Sequence, residues 1–72
     1  MMSRIVDGRE MTPPEPLERT LTALDTLVEG EELLLLVYCH PKPLLDILNR
    51  SGFAWQEVVR DDGTHEIRIR RK

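Results

Sequence analysis

The sequence predicts an α/β two-layer sandwich of element order β-α-β-α-β-β, a four-stranded mixed sheet with two helices on one face. Three observations point to it. Apolar residues recur at helical spacing after a proline cluster, run unbroken over residues 33–39, and alternate with charged residues near the end of the chain. Arg4-Ile5-Val6-Asp7 is a short β-branched run closed by Gly8, which reads as the first strand. Thr12-Pro13-Pro14-Glu15-Pro16 cannot lie inside a helix, because proline removes a donor and clashes with the preceding turn. It suits a helix start, where the missing N–H has no intrahelical partner. Leu17, Leu21, Leu24 and Val28 then follow at spacings of four, three and four, with Ala23 and Leu27 beside them. Glu15 and Glu18 sit favourably at the positive end of this first helix, and Gly30 is expected to end it.

Glu32 to Cys39 is apolar at consecutive positions after the glutamate, the pattern of a central strand or one covered on both faces. His40-Pro41-Lys42-Pro43 opens a second, shorter helix carrying Leu44, Leu45, Ile47 and Leu48, and Ser51-Gly52 stops it. Phe53–Arg60 and Thr64–Arg70 flank Asp61-Asp62-Gly63, and Asp-Gly is a strong hairpin signal. Ile67 and Ile69 alternate with Glu66, Arg68 and Arg70, which predicts one buried and one wet face. A strand-helix-strand crossover makes the first two strands parallel if they are neighbours.

With 72 residues the chain makes one domain, residues 1–72, of a size that buries about 60% of its unfolded surface. A two-domain cleft or an enclosed large cofactor is excluded, and no cofactor is expected. The longest apolar run, Leu33 to Cys39, is seven residues, against the roughly 20 needed to span a bilayer. The first residues hold no apolar stretch of signal-peptide length, and a single Cys forms no internal disulfide, so the expected location is the cytoplasm. The net charge of -3 hides an asymmetry: Arg68, Arg70, Arg71 and Lys72 follow a body holding all 13 acidic residues. A basic tail on an acidic body is not the broad cationic face that neutralises many phosphates, so nucleic acid is not the expected partner.

In a crossover arrangement ligands gather beyond the carboxyl ends of parallel strands. That edge collects Asp7, Arg9, Glu10 and Thr12 from the first loop and Cys39, His40 and Lys42 from the second. Cys39-His40 has the residue types of an activated thiol. Neighbours in a strand nevertheless point to opposite faces, and no third group is identifiable to orient the base. The plain reading makes Cys39 a small buried hydrophobe, His40 structural and His65 ordinary surface beside a turn. Cys39, His40 and His65 are the only soft ligands, and two are neighbours, so no metal site is expected. Both helix starts lack N–H groups at their prolines and the first is acidic, which disfavours an anion site. Glu31-Glu32 and Asp61-Asp62 fall in turns, where solvated acids are ordinary. One Trp, one Tyr and one Phe make no stacking platform, and Phe53 and Trp55 share a strand face toward the core.

The run Val6-Asp7-Gly8-Arg9-Glu10-Met11-Thr12-Pro13-Pro14-Glu15-Pro16 and the helix after it resemble the start of the TusA/SirA-like sulfur-carrier proteins. That family has the same β-α-β-α-β-β fold and a Cys-Pro-x-Pro motif opening its first helix. The resemblance is greater to a related bacterial family of uncharacterised domains in which the motif reads Pro-Pro-Glu-Pro. His40-Pro41-Lys42-Pro43-Leu44 and Glu66-Ile67-Arg68-Ile69-Arg70 also look like that family. The resemblance implies a single TusA/SirA-like domain with Pro13, Pro14, Glu15 and Pro16 as a structural motif. The position matching the persulfide-bearing cysteine is Pro13, which has no thiol, and Glu10 stands where sulfur carriers have glycine. Cys39 lies in another loop and inherits no role. The expected function is therefore a non-catalytic accessory module that binds a protein partner. The alternatives are a sulfur or redox relay through Cys39 and weak nucleic-acid binding through the basic last strand.

Overall fold

A computed structural model describes residues 3–72. The strands are β1 (Ser3–Asp7), β2 (Glu32–Val37), β3 (Phe53–Val59) and β4 (His65–Arg71); the helices are α1 (Glu15–Asp25) and α2 (Lys42–Arg50). The order along the chain is the expected one. The four strands form one mixed sheet ordered β1-β2-β4-β3. β1 and β2 are parallel, with Val6 opposite Leu35, and β4 runs antiparallel to both β2 and β3.

β2 is therefore central, which explains why its sequence does not alternate. Leu33, Leu35 and Val37 are buried and pack with Ile67 and Ile69 of β4, while α1 contributes Leu24 and α2 contributes Leu44, Leu45 and Leu48. On the other face Leu36 is also buried and Leu34 half-buried. Phe53 joins the same core, and Trp55 packs against it while its indole N–H donates to Asn49 Oδ1 at 2.9 Å. The outer face is not uniformly wet. Glu66 is buried there, between Arg60 at 3.2 Å and Arg68 at 3.7 Å, because a carboxylate with two guanidinium partners tolerates partial burial.

Several boundaries differ from the sequence expectation, some by a single residue: β1 starts at Ser3, β3 ends at Val59 and β4 starts at His65. α1 ends at Asp25 with Thr26 as C-cap, five residues before Gly30. The cause is tertiary, since α1 has no basic residue in its last turn and receives arginines from the sheet instead. Arg4 of β1 donates to the Ala23 and Thr26 carbonyls, and Arg71 of β4 donates to those of Leu24 and Leu27. Gly30, with φ of 89°, serves the turn into β2, where Glu31 N–H donates to the Val28 carbonyl. The helical spacing thus misassigns one residue: Leu27 is buried at 1% exposure, and Val28 is 59% exposed. β2 stops at Val37, so Tyr38 and Cys39 are exposed bend residues. The last strand extends one residue further, to Arg71. Gly52, with φ of 80°, follows the Ser51 C-cap of α2 as expected.

Leu27→Ala is expected to destabilise the fold by about 2–5 kcal/mol through loss of contacts and the cavity left behind. Val28→Ala is expected to change stability by less than about 0.5 kcal/mol. Urea unfolding of both variants checks this, and similar midpoints would contradict the burial described.

Candidate functional site

The carboxyl ends of β1 and β2 lie side by side, as the parallel pairing requires, and two proline-rich loops leave from them toward the helix starts. Gly8 holds the first loop close. Its N–H donates to the Leu36 carbonyl at 2.7 Å, and an added Cβ would sit 3.0 Å from Pro16 Cβ and 3.1 Å from Val37 Cγ1. A side chain there would force the loop away from the start of α1. Pro14 precedes α1 as N-cap and the Pro13–Pro14 peptide bond is cis. Pro41 caps α2 in the same way.

The residues expected at this edge are all there, but they form three separate groups. The first is Asp7 with Arg9. The Arg9 guanidinium grips both carboxylate oxygens at 2.9 Å, and Arg9 N–H donates to Oδ1 at 3.2 Å. Arg9 thereby holds the Asp7 carboxyl down at about 2. Glu10 and Thr12 are exposed beyond it, and the Thr12 carbonyl accepts from the N–H of Glu15.

The second group is an open groove of about 250 Å³ between the two helix starts. Pro13, Pro14 and Pro16 form one wall, Pro41, Pro43 and Leu44 the other, and Cys39 lies between them with Val37 and Leu35. Cys39 is exposed, not the buried hydrophobe expected, because β2 ends two residues before it. Five prolines supply no N–H donors, so the groove offers apolar surface and one thiol. Lys42 stands outside it, paired with Asp46 at 3.1 Å across one helical turn.

The third group was not assembled from the sequence. His40 turns away from Cys39 and places Nδ1 2.9 Å and 3.0 Å from the two oxygens of Glu57, on β3. His65, the first residue of β4, places Nδ1 2.8 Å from Glu57 Oε2. His65 is half-buried and is not ordinary surface. Burial pushes the Glu57 carboxyl up, but hydrogen bonds from His65 and His40 outweigh it and hold the carboxyl below its ordinary value. The signal for this cluster was available. The turn Arg60–Thr64 fixes Val59 opposite His65, and strand parity puts Glu57, Val59 and His65 on the face that carries Phe53 and Trp55. Only His40 comes from outside the hairpin.

The basic residues of the last strand divide between the faces. Arg71 lies over the Phe53 ring at 5.0 Å on the helix side, and Arg68 faces Glu32 and Glu66 on the other.

This two-layer architecture is the fold of a solved SirA-like protein. The structure is similar to that of a SirA-like protein from Desulfitobacterium hafniense, with a TM-score of 0.81 and 24% sequence identity over 94% of this chain and 95% of the other. Residues 5–71 match the family described as uncharacterized conserved protein DUF2249, and the chain belongs to that family. No curated protein matches the chain. Among the described residues, no helix is long and apolar enough to cross a membrane.

Because its folded pKa lies below the ordinary 3.8, Asp7 contributes stability that is complete above that value and is lost as pH falls through about 2. Asp7→Asn is therefore expected to melt below the wild type at neutral pH, with the gap closing between pH 3.8 and 2. Circular-dichroism melts across that range check it, and a gap that persists undiminished to pH 2 would contradict the Asp7–Arg9 pairing.

Proposed function

We propose that the chain is a non-catalytic accessory module on a sulfur-carrier-like scaffold, and that it binds a protein partner through the proline-lined groove. One observation carries the reading: where the sulfur carriers it resembles present a cysteine, this chain has Pro13, set in an apolar groove. The groove's size favours a protein over a small molecule. Small-ligand sites enclose about 300–1,000 Å³ and add a few convergent polar groups. This groove is smaller, open, and lined by prolines and aliphatic side chains. It suits one or two apolar side chains of a partner, with Lys42 and Glu10 outside to select its charges. Arg68 and Arg71 lie on opposite faces and each has internal partners, which speaks against a phosphate-binding tail.

Quantitative affinity capture tests this with the wild type, Cys39→Glu, which puts a carboxylate in the groove, and Arg50→Ala at the far end of α2. A specific partner recovered by the wild type and Arg50→Ala, and reduced at least tenfold by Cys39→Glu, is the expected result. Equal recovery by all three, with unchanged circular dichroism, would remove the groove as the binding surface.

A second reading is favoured by the exposure of Cys39 beside Pro13: sulfur transfer to Cys39 in place of the missing motif cysteine. Its thiolate would attack the outer sulfur of a donor persulfide, a new S–S bond would form on Cys39, and the donor would leave as a thiolate. Intact-mass measurement after incubation with a persulfide donor should then show a gain of one sulfur that is absent in Cys39→Ser. No gain in the wild type would eliminate this reading and leave the groove reading untouched.

A further inference from the structure

We infer that His40, Glu57 and His65 form a binding site for a first-row divalent transition-metal cation of the zinc type, separate from the groove and beyond the partner-binding reading. The three side chains come from the loop after β2, from β3 and from β4, and one ligand atom of each lies within 4.8 Å of the others. Two imidazoles and one carboxylate are a donor set zinc commonly takes, with metal–nitrogen and metal–oxygen bonds of about 2.0–2.2 Å. Tetrahedral bonds of that length put neighbouring ligand atoms about 3.3 Å apart. The Glu57 oxygens already stand 2.8–3.0 Å from both imidazole nitrogens, close to the spacing that two ligands of one ion take.

Charge favours the same occupant. The hydrogen bonds and ion pairs described for Glu57 come from the two histidines, not from any lysine or arginine. The Glu57 carboxylate supplies negative charge at the centre of the cluster, which a divalent cation would offset. The placement is also held by rigid elements. His65 pairs in the sheet with both Val37 and Val59, Glu57 pairs with Ile67, and Pro41 restricts the backbone of the third ligand, His40, which precedes it. His40 is more than half exposed, so an ion has a path from solvent, and three protein ligands leave room for water as the fourth. Cys39 is not a member, because it lines the groove while His40 turns to Glu57.

The test is equilibrium dialysis and calorimetry of the tag-free, chelator-treated full chain with zinc chloride at neutral pH. One equivalent should bind saturably and raise the melting temperature. Glu57→Gln, His40→Ala and His65→Asn should each weaken binding at least tenfold, and Cys39→Ser should leave it unchanged. Cobalt in place of zinc should give visible d–d absorption without thiolate charge transfer. Circular dichroism of each metal-free variant separates lost ligation from lost folding, and the exposed His40 variant is the decisive one. If zinc does not bind saturably, or if Cys39→Ser abolishes binding while His40→Ala does not, the inference is overturned and the cluster is a hydrogen-bond network only.

Discussion

The burial of one row of side chains from β2 and β4 beneath two helices is the interaction on which the rest of this structure depends. Leu33, Leu35 and Val37 of β2 and Ile67 and Ile69 of β4 meet Leu24, Leu27, Leu44, Leu45 and Leu48 in a single layer. Each fully buried side chain of this kind contributes about 1.5–3 kcal/mol. Among the described residues this layer is the one buried apolar cluster, in a chain of only 72 residues. Because β2 and β4 are the central strands, their position also fixes where β1 and β3 attach. The two arginines that reach the end of α1 start from β1 and β4, so helix length depends on sheet order as well.

The same layer places the chemistry. The parallel β1–β2 pair brings two proline-rich loops to one edge, and Gly8 allows the first to pass against Pro16 and Val37. The prolines start both helices without supplying N–H donors, which turns a place suited to anions into an apolar groove. The antiparallel β3–β4 register carries Glu57 and His65 to the neighbouring stretch of that edge, where His40 meets them. One edge thus holds an apolar surface, a bidentate ion pair at Asp7–Arg9, and a cluster of three polar ligands. Partner recognition and metal binding, as proposed above, would draw on separate parts of this edge.

Local patterning was sufficient wherever a residue's role is set by its immediate neighbours. Proline clusters marked both helix starts, the Asp62-Gly63 step marked the hairpin, and the unbroken run after Glu32 marked a central strand. It was insufficient where a distant group intervenes. Gly30 had the form of a helix stop, yet Arg4 and Arg71 take the α1 carbonyls five residues earlier. Glu66 had the parity of a solvent residue, and guanidinium partners on both sides bury it. Of the candidate edge, Asp7, Arg9, Glu10, Thr12, Cys39, His40 and Lys42 were legible because strand ends and loops follow from the element order.

The sequence by itself determined the element order and the absence of a thiol at Pro13, because each follows from residue identity and short-range periodicity, whereas the adjacency that makes β1 and β2 a parallel pair came from the sheet. The tertiary structure alone decided that Cys39 is exposed and that His40 parts from it to join Glu57 and His65. His40 lies 17 residues from Glu57 and His65 lies eight from it. The physical reason is that such a meeting requires strand register and a loop path to act together, and neither is encoded in any local stretch of the chain.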